Sequence, residues 1–190
     1  MDYDDPGWRH ALKNAVWPYS MPFRSRAKSA NQLIAARMIY VGIGIALLLF
    51  AFVISQILPS TRWFKGSNRA WFLVIVVAIG IVCLLRIARI RGKPLDVSSS
   101  QRLVDSYRAM FFIGLGYAQA PALSGFVGAF VMDNLWIYLI GLVFSMIAMA
   151  LIAPSKREIA RRQAQIAAQG SSLSLGAILV EPPSQAPKHL

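Results

Sequence analysis

Acidic residues are scarce in this chain: eight against twenty lysines and arginines in 190 residues. None of the eight falls inside any of its long apolar blocks. Proton and cation carriers generally need an ionisable group at membrane depth, so this absence argues against ion-coupled transport. Cys83 is the single cysteine, which rules out an internal disulfide and leaves the redox compartment open. The two histidines, His10 and His189, lie in the terminal segments without cysteine or carboxylate companions at ligand spacing, so no metal site is expected. There is no glycine loop ending in Lys-Ser/Thr to cradle phosphate, and no histidine-carboxylate grouping to prepare a serine nucleophile. An enzyme is therefore disfavoured, and no cofactor is expected.

What the chain has in excess is apolar sequence, 56% of it, against 15% charged. That excess is concentrated in blocks. Residues 33–58 carry only Arg37 as a charge, and 70–85, 109–132 and 135–153 carry none. A helix rises about 1.5 Å per residue, so roughly 20 residues cross a hydrocarbon core of about 30 Å. Three blocks meet that length. The second is extended by Arg86-Ile87-Ala88-Arg89-Ile90, where arginine stems stay buried while the charges rise to the interface, giving a span over 70–90. Lipid offers no partners to backbone groups, and nothing alternates with period two, so the four spans are expected to be helices rather than barrel strands. The segment before the first span lacks the cleavage pattern of a signal peptide.

The basic residues report orientation. Six lie in the amino-terminal segment through Arg37, namely Arg9, Lys13, Arg24, Arg26, Lys28 and Arg37. Six lie at the end of span two and in the segment after it (Arg86, Arg89, Arg91, Lys93, Arg102, Arg108), and five lie in the tail (Lys156, Arg157, Arg161, Arg162, Lys188). The two remaining loops hold Arg62, Lys65 and Arg69, and none. Basic residues accumulate on the cytoplasmic side, so both termini are expected there, in a cytoplasmic (inner) membrane, which requires an even number of spans. The net charge of +12 then reads as topology plus attraction to anionic lipid, and not as nucleic-acid binding. The residues expected at that lipid surface are Arg24, Arg26, Lys28, Arg86, Arg89, Arg91, Lys93, Lys156, Arg157, Arg161 and Arg162.

Residues 1–32 form the cytoplasmic amino-terminal segment. Asp5-Pro6 is a good helix start, after which Trp8, Leu12, Ala15 and Val16 share one face, the pattern of an interfacial or docking helix. Residues 33–153 form the membrane domain. Spans 33–58 and 70–90 make one hairpin and 109–132 and 135–153 another, divided by the short polar linker 92–101. Met132-Asp133-Asn134 leaves almost no loop, so spans three and four are antiparallel neighbours, with Trp136 and Tyr138 placed for an interfacial aromatic belt and Asp133 as a wet turn residue. Residues 154–190 are a basic cytoplasmic helix and a loose tail. Ser155 and Glu158 have capping-box spacing, Gly170 is a stop, and 173–180 is apolar enough to dock. The fold class is thus all-α: an integral membrane four-helix bundle of two hairpins with short cytoplasmic amphipathic helices at both ends.

Span three is the unusual one. At about 100° per residue, Gly114, Ala118, Pro121, Gly125 and Gly128 follow one another at spacings of three and four, a continuous stripe of small residues. Small residues let two backbones approach closely, and close packing is what joins helices in lipid. Span four is the expected partner. Gln119 lies roughly 130° away, among bulky residues and near the bilayer midplane, where an unsatisfied amide costs several kcal/mol. It should face protein or trapped water. Pro121 cannot donate to the Tyr117 carbonyl, so a kink is expected, with Gln119, Ser124 or a water supplying the freed carbonyl, or Ser124 bonding back to Ala120. Tyr117, Gln119 and Ser124 together form a candidate intramembrane polar site.

From Ala118-Gln119-Ala120-Pro121-Ala122-Leu123-Ser124-Gly125-Phe126-Val127-Gly128 through Asp133-Asn134, the chain resembles a group of small uncharacterised bacterial multi-pass membrane proteins whose pattern is small-Glu-Ala-Pro-Ala-Leu-Phe-Gly. The likeness is local to the second hairpin and implies no established activity. The same stretch is faintly similar to the carboxylate-bearing helix of rotary ATPase rotor subunits. It departs from them at Gln119, which carries no proton, and in lacking the preceding glycine-repeat helix. The function expected is that of a packing or accessory component of a membrane assembly, with a protein partner or a second copy. The alternative is a small transporter or channel whose pathway lies at the Gln119/Pro121 kink.

Overall fold

The computed structural model describes residues 8, 9, 12, 32–58 and 70–180. The remainder of the expected amino-terminal helix, the surface residues Arg24, Arg26 and Lys28, the loop after the first span and the end of the tail lie outside the described residues. Those described form six helices and no strand: α1 (Gln32–Ile57), α2 (Ala70–Gly92), α3 (Ser100–Met132), α4 (Leu135–Ile152), α5 (Lys156–Ala168) and α6 (Leu175–Val180). The first four are each long and apolar enough to cross a membrane.

Helix ends follow local chemistry. α2 closes with the Lys93 N–H on the Ile90 carbonyl at 3.1 Å, and Pro94 bars its continuation. α3 starts nine residues earlier than the apolar block alone suggests. The Ser99 hydroxyl accepts from the Arg102 N–H at 3.2 Å, a side-chain cap that the polar appearance of the linker concealed. At 33 residues α3 runs about 50 Å, well beyond a hydrocarbon core of about 30 Å, so its first turns belong to the aqueous side. It ends with Asp133 in the left-handed region at φ 49°, the Asn134 N–H on the Ala129 carbonyl at 2.9 Å and the Asp133 N–H on Phe130 at 3.4 Å. That pair of bonds is the Schellman closure. The Asn134 side chain then accepts from the Trp136 N–H at 2.9 Å and opens α4, which is why two residues suffice for the turn.

The chain divides into two compact units. One gathers residues 1–42, 94–109 and 153–190, three segments far apart in sequence. Its buried residues include Leu33, Leu95, Leu103, Val104, Tyr107, Ile159, Ile166, Leu175 and Leu179. In it, Ser155 caps α5 by accepting from the Glu158 N–H at 3.3 Å, and Gly170 ends that helix at φ 76°. The 173–180 segment docks on α5. The Gln163 amide donates to the Leu173 carbonyl at 2.9 Å and accepts from the Leu175 N–H at 2.8 Å, fixing the start of α6.

The other unit comprises residues 43–93 and 110–152. Here α4 meets each of the other three long helices. The Tyr138 hydroxyl donates to the Leu47 carbonyl of α1 at 2.6 Å, Gly80 of α2 lies against the Phe144 ring, and α3 crosses α4 at two glycines. Tyr138 is therefore not a member of an interfacial belt. It is fully buried, its ring edge turned to Phe126 at 6.2 Å, because in lipid a phenol that finds a backbone acceptor is held by it.

Candidate functional site: the crossing of α3 and α4

The small-residue stripe of α3 is where two backbones meet. A methyl group on Gly125 would stand 2.9 Å from the Ile137 carbonyl oxygen and 3.2 Å from the Tyr138 Cα. A methyl on Gly141 would press on the Pro121 carbonyl oxygen and lie 3.3 Å from the Gly125 Cα. Elsewhere on the stripe Gly114 faces Ile152 of α4, while Gly128 is packed against the Phe72 ring of α2 as well as Ile137. Ala118 and Pro121 are buried between them.

Next to Pro121, α4 supplies a hydrogen-bond acceptor to the α3 backbone. The Ala122 N–H, one position beyond the proline, donates to the Ser145 hydroxyl of α4 at 2.9 Å, and Ser145 is wholly buried. Ser124 donates to the Pro121 carbonyl at 2.9 Å and not to Ala120, so it bonds back three residues, not four. Its role is local to its own helix. Tyr117 and Gln119 are each half-buried. No described residue hydrogen-bonds the Gln119 amide. Tyr117, Gln119 and Ser124 are thus not brought together into one polar site by hydrogen bonds.

Ser145 and Gly141 are the residues that reading from composition overlooks. Their signal was present: Gly141, Ser145 and Ala148 repeat at spacings of four and three along α4, the same small-residue period as the stripe they meet. Leucines and isoleucines around them masked it.

The basic residues divide into two classes. Arg86, Arg89, Lys93, Lys156 and Arg157 are exposed, as a lipid-surface role requires, and Arg91 is half-buried. Arg161 and Arg162 are engaged internally. The Glu158 carboxylate accepts from both, at 2.6 Å and 3.2 Å, and Arg162 also donates to the Gln165 side chain at 3.2 Å. Arg162 is buried because Ile159, Arg162 and Ile166 share the inward face of α5. That burial pulls its pKa below the ordinary arginine value, with the Glu158 charge opposing the shift. Arg37, at the foot of α1, is also fully buried: its Nε donates to the Pro154 carbonyl at 3.1 Å and its guanidinium lies over the Trp8 ring at 5.0 Å.

Four helices of this length and apolarity place the chain in the class of multi-pass helical membrane proteins. Within that class no particular relative emerges, since comparison with protein-family models, with curated proteins and with solved structures finds no match.

Proposed function

We propose that this chain is a packing or accessory component of a membrane protein assembly, contributing a four-helix module to a larger complex. The observation that supports this reading is the Gln119 side chain. It is half-buried on a helix that crosses the membrane, and no described residue offers its amide a hydrogen bond. A polar group left unpaired at that depth costs several kcal/mol, whereas a neighbouring subunit with one donor or acceptor removes the cost. The rival reading, a transport pathway at the Pro121 kink, has weaker support. The Ala122 N–H and the Pro121 carbonyl, which would have to line it, are occupied by Ser145 and covered by Gly141.

The grouping of 1–42, 94–109 and 153–190 in one unit supports two hairpins opening on one side, and the excess of basic residues in those segments favours the cytoplasm for that side. A single cysteine introduced at exposed Lys156, with Cys83 replaced by serine, is expected to react with an impermeant maleimide only after the cytoplasmic face is opened. Labelling of intact cells would reverse the orientation.

Gln119→Leu tests the function itself. The variant should fold, since no described partner loses a bond, yet elute in mild detergent at a lower native mass than wild type, without its companion subunit. Unchanged complex mass together with a lost solute flux would overturn the accessory reading in favour of transport.

A further inference from the structure

α2 has two faces of different character. Val76, Gly80, Cys83 and Ile87 are buried, at spacings of four and three. Along the opposite side run Ile75, Ala78, Val82, Arg86, Arg89 and Lys93, again at spacings of three and four, and every one is exposed. The outward stripe is thus apolar along its length and ends in three cations. Nothing in this helix or its continuation to Lys93 is acidic. Arg86 and Arg89 are without an ion pair to any described carboxylate.

Two basic residues of other helices are engaged within the protein. Arg37 of α1 is buried against the Pro154 carbonyl and the Trp8 ring. Arg102 of α3 reaches Asp96 at 3.8 Å. Depth then decides what meets Arg86 and Arg89. Arg86 lies sixteen residues beyond Ala70, about 24 Å along the helix, so within a core of about 30 Å it stands just inside the hydrocarbon boundary, with Arg89 at it. Their long stems lie along the apolar surface and carry the two guanidiniums up to the headgroups. A guanidinium fork suits a phosphate oxygen pair better than an ammonium does. One leaflet is about 15 Å deep, which matches the ten-step rise from Ile75 to Leu85.

We propose that the outward face of α2 seats an anionic phospholipid of the leaflet adjoining residue 94, its phosphate held by Arg86 and Arg89 and an acyl chain lying along Ile75, Ala78 and Val82. The charge complementarity selects an anionic headgroup over a zwitterionic one, because a choline or ethanolamine ammonium would be brought beside two unpaired cations and Lys93. The seat is independent of the assembly proposed above and does not involve Gln119.

The test is native mass spectrometry of the full-length protein released from nanodiscs of dioleoylphosphatidylcholine containing dioleoylphosphatidylglycerol. Wild type should retain phosphatidylglycerol in preference to phosphatidylcholine, and the preference should fall as salt is raised before release. Arg86→Gln/Arg89→Gln should weaken retention about thirty-fold, the effect of two headgroup-level charges. Arg102→Gln/Arg108→Gln, which removes the same charge from exposed sites on α3, should leave it unchanged. The proposal is overturned if wild type shows no headgroup preference, if the preference survives in the Arg86/Arg89 variant, or if the control variant loses as much. Should the glutamine pair fail to fold, Arg86→Lys/Arg89→Lys takes its place: it keeps the charge, so a salt-sensitive preference upholds the seat, and an absent or salt-insensitive preference rejects it.

Discussion

Gly141→Ala should lower the stability of the membrane unit by about 1–3 kcal/mol, although it adds a single methyl group. At most helical positions that change is neutral or favourable, because alanine is the better helix former by about 1 kcal/mol. Here the new carbon would be driven onto the Pro121 carbonyl oxygen, with the Gly125 Cα 3.3 Å away. Both obstacles are backbone, so neither can swing aside as a side chain would. The helices must separate, and separation lengthens the bond from the Ala122 N–H to Ser145 across the same crossing. Gly125→Leu should be worse, since the larger side chain meets the Ile137 carbonyl and the Tyr138 Cα together. Gly42→Ala is the internal control: nothing lies within 4 Å of its added carbon, so stability should hold or rise slightly. Unfolding by sodium dodecyl sulfate in mixed micelles, followed by circular dichroism, separates the three. Equal midpoints for Gly141→Ala and Gly42→Ala would show that α3 and α4 do not cross at these glycines.

Arg37→Met is expected to loosen the start of α5 and to cost about 1.5–3 kcal/mol, the range for a buried hydrogen bond made by a charged donor. Methionine keeps much of the apolar stem. It leaves the Pro154 carbonyl without the Nε donor 3.1 Å away and removes the cation from over Trp8. Arg37→Lys should recover little, because an ammonium at the end of a flexible stem lacks both the Nε donor and the flat face that stacks on indole. Hydrogen exchange provides the readout. In both variants amides of the first α5 turn, such as Ile159, whose N–H bonds the Ser155 carbonyl at 3.0 Å, should exchange faster, while those around Gly141 are unchanged. Uniform acceleration across the chain would mean that Arg37 acts on global stability and not as a tie to Pro154.

Much of the architecture was legible before any coordinates. Four apolar runs, the first carrying only Arg37 and the second lengthened by its arginine-bearing end, can meet their backbone hydrogen bonds in lipid only as helices, so their existence and rough bounds follow from composition. Ser155 and Gly170 are read directly as the ends of α5, because a capping hydroxyl and a residue tolerant of positive φ act within a few residues of themselves. The small-residue stripe of α3 was legible for the same reason: a period of 3.6 is a local property. The start of α3 was less so, since Ser99 falls in the polar linker 92–101 and the pattern Leu103, Val104, Tyr107 lies before the apolar block, yet Ser99 caps the helix and those three residues are buried.

Other features were decided only by tertiary structure. Tyr138 looks interfacial by position and is buried because α1 brings the Leu47 carbonyl to it. Arg162 looks like one more surface cation and is buried because α5 turns inward the face it shares with Ile159 and Ile166. Ser145 acquires its role from the Ala122 N–H of α3. For Tyr138 and Ser145 the deciding partner is a single hydrogen-bonding group on another helix, and for Arg162 it is the face that α5 packs inward. Hydrophobicity and helical period are summed along the chain and so can be read from it, whereas the direction in which one polar side chain finds its mate depends on how the helices are rotated against each other.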